Sequence, residues 1–128
     1  MQRAFVNILS DNVAKTAEFY ENLLGMTRHF NSDWFIILTH PNINDLEYGI
    51  LQKDHAIVPV ASRSDAGGMI VTFVVEDCDR IYTKAKELGA LIVSEPTDMP
   101  YGQRRMLLQD PDGVMIDVSA PTAPLVET

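Results

Sequence analysis

The chain holds a single cysteine, Cys78, so no disulfide can form within it, and a zinc site built from several thiolates is excluded. Basic residues are also few. Ten Lys and Arg stand against 18 Asp and Glu, for a net charge of −8. Nucleic-acid backbones and anionic membranes are bound through clustered Lys and Arg, so neither is an expected partner. No apolar run approaches the roughly 20 residues that a membrane span needs. The opening Met1-Gln2-Arg3-Ala4 lacks the apolar core and small-residue cleavage site of a signal peptide. These absences read as a cytoplasmic protein. There is no GxSxG nucleophile motif and no glycine-rich phosphate loop, and Gly67-Gly68 reads as a turn. His29, His40 and His55 follow neither HxxxH nor HxH spacing.

What is present is an ordinary globular composition. At 128 residues, 46% hydrophobic and 22% charged, the chain has the size and make-up of one domain. Phe5-Val6-Asn7-Ile8-Leu9 reads as a strand ending at the cap formers Ser10-Asp11-Asn12. Val13, Ala17, Tyr20 and Leu24 recur at helical steps, and Gly25 supplies a left-handed stop. Strands are predicted over Met26 to Phe30, Trp34 to Thr39 and Leu46 to Gln52, with a loop at 41–45. Residues from about 54 to 68 collect turn formers and lose periodicity, as a linker would. The order then returns. Met69 to Val75 is a strand, Glu76-Asp77-Cys78-Asp79 a second capping cluster, and Ile81 to Leu88 a helix stopped by Gly89. Ala90 to Val93 is a strand, 95–100 an irregular stretch, and Arg104 to Gln109 and Val114 to Ser119 the last strands. Asp110-Pro111-Asp112-Gly113 is a turn in which proline presets one dihedral and glycine takes the positive one. A tail follows from 121 to 128.

Leu24-Gly25 and Leu88-Gly89 end the two helices 64 positions apart. The chain is therefore an internal duplication of strand, helix, strand, strand, strand. Its halves run from about 1 to 53 and about 69 to 120, within one domain. The implied class is α+β: two βαβββ repeats forming a mixed sheet with helices on the outer face.

Several segments carry a further resemblance. Phe5-Val6-Asn7-Ile8, Phe19-Tyr20-Glu21-Asn22-Leu23-Leu24-Gly25-Met26, Val74-Val75-Glu76-Asp77 and Asp110-Pro111-Asp112-Gly113-Val114 resemble vicinal-oxygen-chelate domains, the family of glyoxalases, bleomycin resistance proteins and extradiol dioxygenases. Ser32-Asp33-Trp34, Leu46 to Leu51, Tyr101-Gly102-Gln103-Arg104 and Ile116-Asp117-Val118 resemble a glyoxalase-like bacterial branch. The resemblance implies a curved sheet forming a cup, a homodimer, and, in metal-using members, His or Glu ligands from the first and last strands of each half. Those positions fall here on Phe5, Ile70 and Asp117, with the fourth near Glu47 or Gly49. Phe5 and Ile70 have no lone pairs to donate. No cofactor is therefore expected, and a divalent metal would rest on Glu47, Asp117 and His55.

Strand alternation then sets the rest of the candidate site. If Phe5 faces the cup, so does Asn7, while Ile70 and Thr72 do so in the second half. Trp34 could stack on a planar ligand or pack in a core or dimer interface, and Tyr48 and Tyr101 are weaker aromatics of that kind. Gln103 and Arg105 share a face opposite Arg104; either arginine could fork onto an anion or pair with Asp117. Asp117 is the one catalytic candidate. Cys78, at a helix start, is open to a lowered pKa or to burial as an inert thiol. The leading expectation is a small-molecule binder without metal, taking a largely apolar or aromatic ligand. The alternatives are a metal-dependent lyase, isomerase or dioxygenase, and metal-free proton transfer by Asp117 beside an arginine.

Overall fold

The computed structural model describes residues 1–65 and 67–122; the expected tail beyond 122 lies outside them. The chain divides into two compact units, Met1–Ala66 and Gly67–Thr128. The first contains β1 (Val6–Ser10), α1 (Val13–Leu24), β2 (Thr27–Asn31), β3 (Phe35–His40) and β4 (Ile43–Gln52), followed by a short 3-10 turn at Val60–Ser62. The second contains β5 (Ile70–Val74), α2 (Cys78–Glu87), β6 (Leu91–Met99), β7 (Gln103–Gln109) and β8 (Met115–Pro121). Each unit is thus a βαβββ repeat. Its sheet has four strands, in the order β1-β4-β3-β2 or β5-β8-β7-β6. The first strand pairs in parallel with the last, and the other pairs are antiparallel. No helix among the described residues is long and apolar enough to cross a membrane.

The helices form where the sequence caps them. Asn12 accepts the Lys15 amide at 3.1 Å, and Asp77 accepts the Arg80 amide at 3.1 Å. Gly25 closes α1 at φ 70°. Ala17, Tyr20 and Leu23 of α1 are fully buried against a sheet face carrying Ile8, Ile36, Leu38 and Ile50. Burying a side chain of this size contributes about 1.5–3 kcal/mol. Below that layer, Ser10 and Thr16 share a buried hydroxyl contact of 3.2 Å, which ties the end of β1 to the first turn of α1. In the second unit α2 lies on β6, β7 and β8, over the fully buried Met106, Leu108, Ile116 and Val118.

Three elements differ from the sequence reading. The loop expected at 41–45 shrinks to a turn at Pro41-Asn42, and β4 starts at Ile43, with Asp45 taking φ 65° within it. The irregular stretch expected at 95–100 is part of β6. This strand lies at a sheet edge, where Pro96 removes no ladder bond that must be made, and register shifts between Ile92 and Thr97 absorb the misfit. Helix α2 begins at Cys78 rather than Ile81, because Asp77 takes the capping role and sets the first turn. The segment expected as a linker is fastened to the first unit. Arg63 donates to the carbonyls of Val58 and His55 at 3.0 and 3.1 Å. Lys53 reaches Asp11 and Asp65 at 3.0 and 2.9 Å.

The turn between β7 and β8 rests on one buried carboxylate. Asp110, 5% exposed, accepts the amides of Asp112 and Val114 at 2.8 and 2.9 Å, and Gly113 takes φ 83°. Asp110→Ala strands both amides. It should cost about 3 kcal/mol in urea unfolding, against about 1–2 kcal/mol for Gly113→Ala, which only forces a Cβ into the left-handed region. Equal losses would contradict this account of the turn.

Candidate functional site

Each sheet has one face under its helix and one face turned from it, and alternation assigns the side chains. In the first unit Ile8 and Ser10, Ile36 and Leu38, and Tyr48 and Ile50 face α1; all are 5% exposed or less. Asn7 and Leu9, Phe35 and Ile37, and Glu47, Gly49 and Leu51 occupy the open face, and Phe5 continues that face just before β1. Tyr48, expected among the candidate ligand aromatics, is buried toward α1. Its hydroxyl lies 3.0 Å from that of Tyr20, and the two rings meet edge to face at 5.0 Å.

On the open face, β1 and β4 place Asn7 opposite Gly49. The Asn7 amide lies across the glycine, so that a Cβ there would stand 3.1 Å from Asn7 Cγ and 3.1 Å from the Val6 carbonyl oxygen, with the amide oxygen closer still. One pair earlier, Glu47 is gripped by Arg3, whose Nε lies 2.9 Å from Oε1 and 2.7 Å from Oε2. That hydrogen-bonded guanidinium holds the Glu47 carboxyl below the usual carboxylate range. Arg3 also sits 4.9 Å over the Phe5 ring.

Trp34 precedes β3 and stacks on the His55 imidazole at 4.0 Å and 15°. It continues to Phe35 at 5.9 Å, which in turn lies 5.8 Å from Phe30. His55 Nδ1 accepts the Ile57 amide at 3.2 Å. His40 is structural. Its Nδ1 accepts the Asn42 amide at 3.1 Å, which leaves Nε2 to donate to the Leu24 carbonyl at 3.2 Å, at the end of α1. Tyr101 lies in the turn before β7 and is 51% exposed.

In the second unit Ile70, Thr72 and Val74 lie on the open face, as alternation predicts, and Val71 and Phe73 turn toward α2. Thr72 is opposite Asp117, and Leu107 is opposite Asp117 on the other side. The Asp117 carboxylate accepts the Thr72 hydroxyl at 3.3 Å and the buried Ser119 hydroxyl at 2.5 Å. Ser119 is a contributor that the sequence reading missed; its two-residue spacing from Asp117 on one strand was the available signal. The structure separates the two arginines. Arg104 lies on the helix side, bonded to Asp79 of α2 at 3.0 and 3.2 Å and to Asp98 at 3.0 Å. Those two carboxylates push its pKa further up. Arg105 and Gln103 share the open face with Asp117, and Arg105 pairs across to Ser119 in the register.

The profile of the Glyoxalase/Bleomycin resistance protein/Dioxygenase superfamily matches residues 3–118. The chain belongs to that superfamily. Among relatives of this glyoxalase-superfamily chain, the anthracycline biosynthesis protein DnrV of Streptomyces peucetius is 46% identical over 123 residues, which are 89% of this chain and 39% of DnrV. CFP32 of Mycobacterium tuberculosis is 28% identical over 114 residues, 89% of this chain and 42% of that protein. The chain thus spans about two fifths of the length of the curated relatives it matches. A superfamily enzyme from Burkholderia phytofirmans PsJN shares the fold at TM-score 0.77 and 19% identity, over 91% of this chain and 96% of that one.

The residues present do not fit the superfamily's metal. The registers make Gly49 the counterpart of Asp117, each lying opposite the second residue after the first-strand ligand position. Of the four positions Phe5, Gly49, Ile70 and Asp117, only the last carries a donor, and its carboxylate already accepts two hydroxyls. Glu47 is off that register and held by Arg3; His55 is stacked under Trp34. Among the described residues, no group of three or more His, Cys, Asp or Glu could hold a metal ion.

Two outcomes test this geometry. Gly49→Ala should destabilise by about 1–3 kcal/mol through overpacking, and Asn7→Ala in the same chain should recover part of the loss. Additive effects in this double-mutant cycle would show that the two residues do not touch. Cys78 is 1% exposed and donates to the Val118 carbonyl at 3.4 Å, and burial pushes its thiol up. It should resist thiol reagents near neutral pH until urea unfolds the chain; rapid labelling of the native protein would contradict its burial.

Proposed function

We propose that this chain binds a small, largely apolar or aromatic molecule on the open faces of its sheets, as a homodimer and with no metal held by the protein. The observation that carries the reading is the chemistry of those faces. Three of the four expected ligand positions hold Phe5, Gly49 and Ile70; the first two share the first unit's open face with Leu9 and Ile37, and Ile70 shares the second unit's with Val74 and Leu107. Apolar walls with a few placed polar groups suit a small organic molecule. Here the polar groups are Asn7, Thr72, Asp117, Gln103 and Arg105. The relation to a protein named for anthracycline biosynthesis supports a fused aromatic ring system as the ligand class. Trp34 lies at one end of an aromatic run and is the chain's one tryptophan, so it reports on ring binding nearby.

Proton-transfer chemistry is a second reading, favoured by Arg105 lying on the strand beside Asp117, on the same face and two residues from Leu107, the register partner of Asp117. It is the weaker one, because the Asp117 carboxylate is already engaged by the Thr72 and Ser119 hydroxyls. The test is titration of Trp34 fluorescence with an anthraquinone, with and without a chelator. Saturable quenching, with the same midpoint in both, is the expected result. Absence of saturation, or loss of binding with chelator, would overturn the proposal.

A further inference from the structure

Two polar groups on the open face of the second unit have no partner among the described residues, and they stand two positions apart on one strand. Gln103 Oε1 is buried and accepts no hydrogen bond. The Arg105 guanidinium, half-buried on the same face, makes no hydrogen bond or ion pair among the described residues. The contrast with its neighbour is sharp: Arg104, on the other face, is bonded to two carboxylates. Nor does Asp117 serve Arg105, since its oxygens take the Thr72 and Ser119 hydroxyls. Among the described residues, Arg105 is thus an arginine without a carboxylate partner.

A buried acceptor without a donor destabilises a fold, and native proteins keep very few. A guanidinium only donates, and it prefers a planar anion. The pair therefore presents complementary demands: a donor for Gln103 and an anionic acceptor for Arg105, from strand positions about 7 Å apart. We infer that the polar end of the ligand carries an ionised carboxylate, which accepts hydrogen bonds from Arg105, and a hydroxyl, which donates a hydrogen bond to Gln103 Oε1. The ligand class is a hydroxylated aromatic acid. This inference rests on the binding reading above and adds the polar half of the ligand to it.

Calorimetric titration of the full chain with naphthol, naphthoate and a hydroxynaphthoate bearing its hydroxyl on the second ring tests it. The hydroxynaphthoate should bind about tenfold tighter than either single-group probe, as one good charge-assisted or buried hydrogen bond allows. Arg105→Gln should remove the gain from the carboxylate and leave naphthol binding unchanged; Arg105→Lys should keep part of it. Gln103→Met should remove the gain from the hydroxyl, leave naphthoate unchanged and raise Tm by a few degrees, because the orphaned acceptor is gone. A fall in Tm would mean that Gln103 has a structural partner and would overturn its role. Probes that bind equally, with no gain from either group, overturn this inference while leaving aromatic binding intact. Failure of all three to bind takes down the binding reading and this inference together.

Discussion

In each unit the first strand pairs in parallel with the last, and that register decides which side chains meet at the centre of the open face. In the first unit it sets Asn7 against Gly49; in the second it sets Thr72 against Asp117. Everything distinctive about the candidate site follows. Gly49 is tolerable because the Asn7 amide occupies the space a side chain would need. Asp117 is tolerable in a strand because a hydroxyl from β5 and one from its own strand donate to its carboxylate. Of these two positions, Gly49 brings no donor and lies beneath the Asn7 amide, and Asp117 has its carboxylate engaged by two hydroxyls of its sheet.

The same register explains how charge is distributed. Residues one step off it, on the helix side, are consumed in fastening helices to sheets: Arg104 to Asp79, Tyr48 to Tyr20. Residues in step with it face outward and remain available, as Gln103 and Arg105 do. Superfamily membership sets the scaffold, but the scaffold alone does not set the chemistry.

Much of this was legible in the sequence. Helix α1 occupies its predicted span, since its periodicity, its Asn12 cap and Gly25 agree. The Asp110 to Gly113 turn and the alternation of Ile70, Thr72 and Val74 along β5 also follow from local rules. What was not legible depends on partners distant in sequence. The fourth-strand register could not be counted, because the expected loop at 41–45 is mostly strand. Tyr48 reads like any strand aromatic until Tyr20 is found above it. Arg104 and Arg105 were separated only by Asp79, 25 residues away. The Trp34–His55 stack joins a strand start to a segment that reads as linker. Pro96 suggested irregularity because its place at a sheet edge is a matter of topology.

We propose that this chain holds no metal ion, the Asp117 carboxylate being engaged by hydroxyls of its own sheet. Elemental analysis of the purified protein, followed by titration with nickel, zinc, manganese and ferrous iron, tests it most directly. The account predicts no stoichiometric metal and no saturable binding of any of the four. One tightly held metal ion per chain would contradict it, and would mean that Asp117 exchanges its hydroxyl partners for a metal.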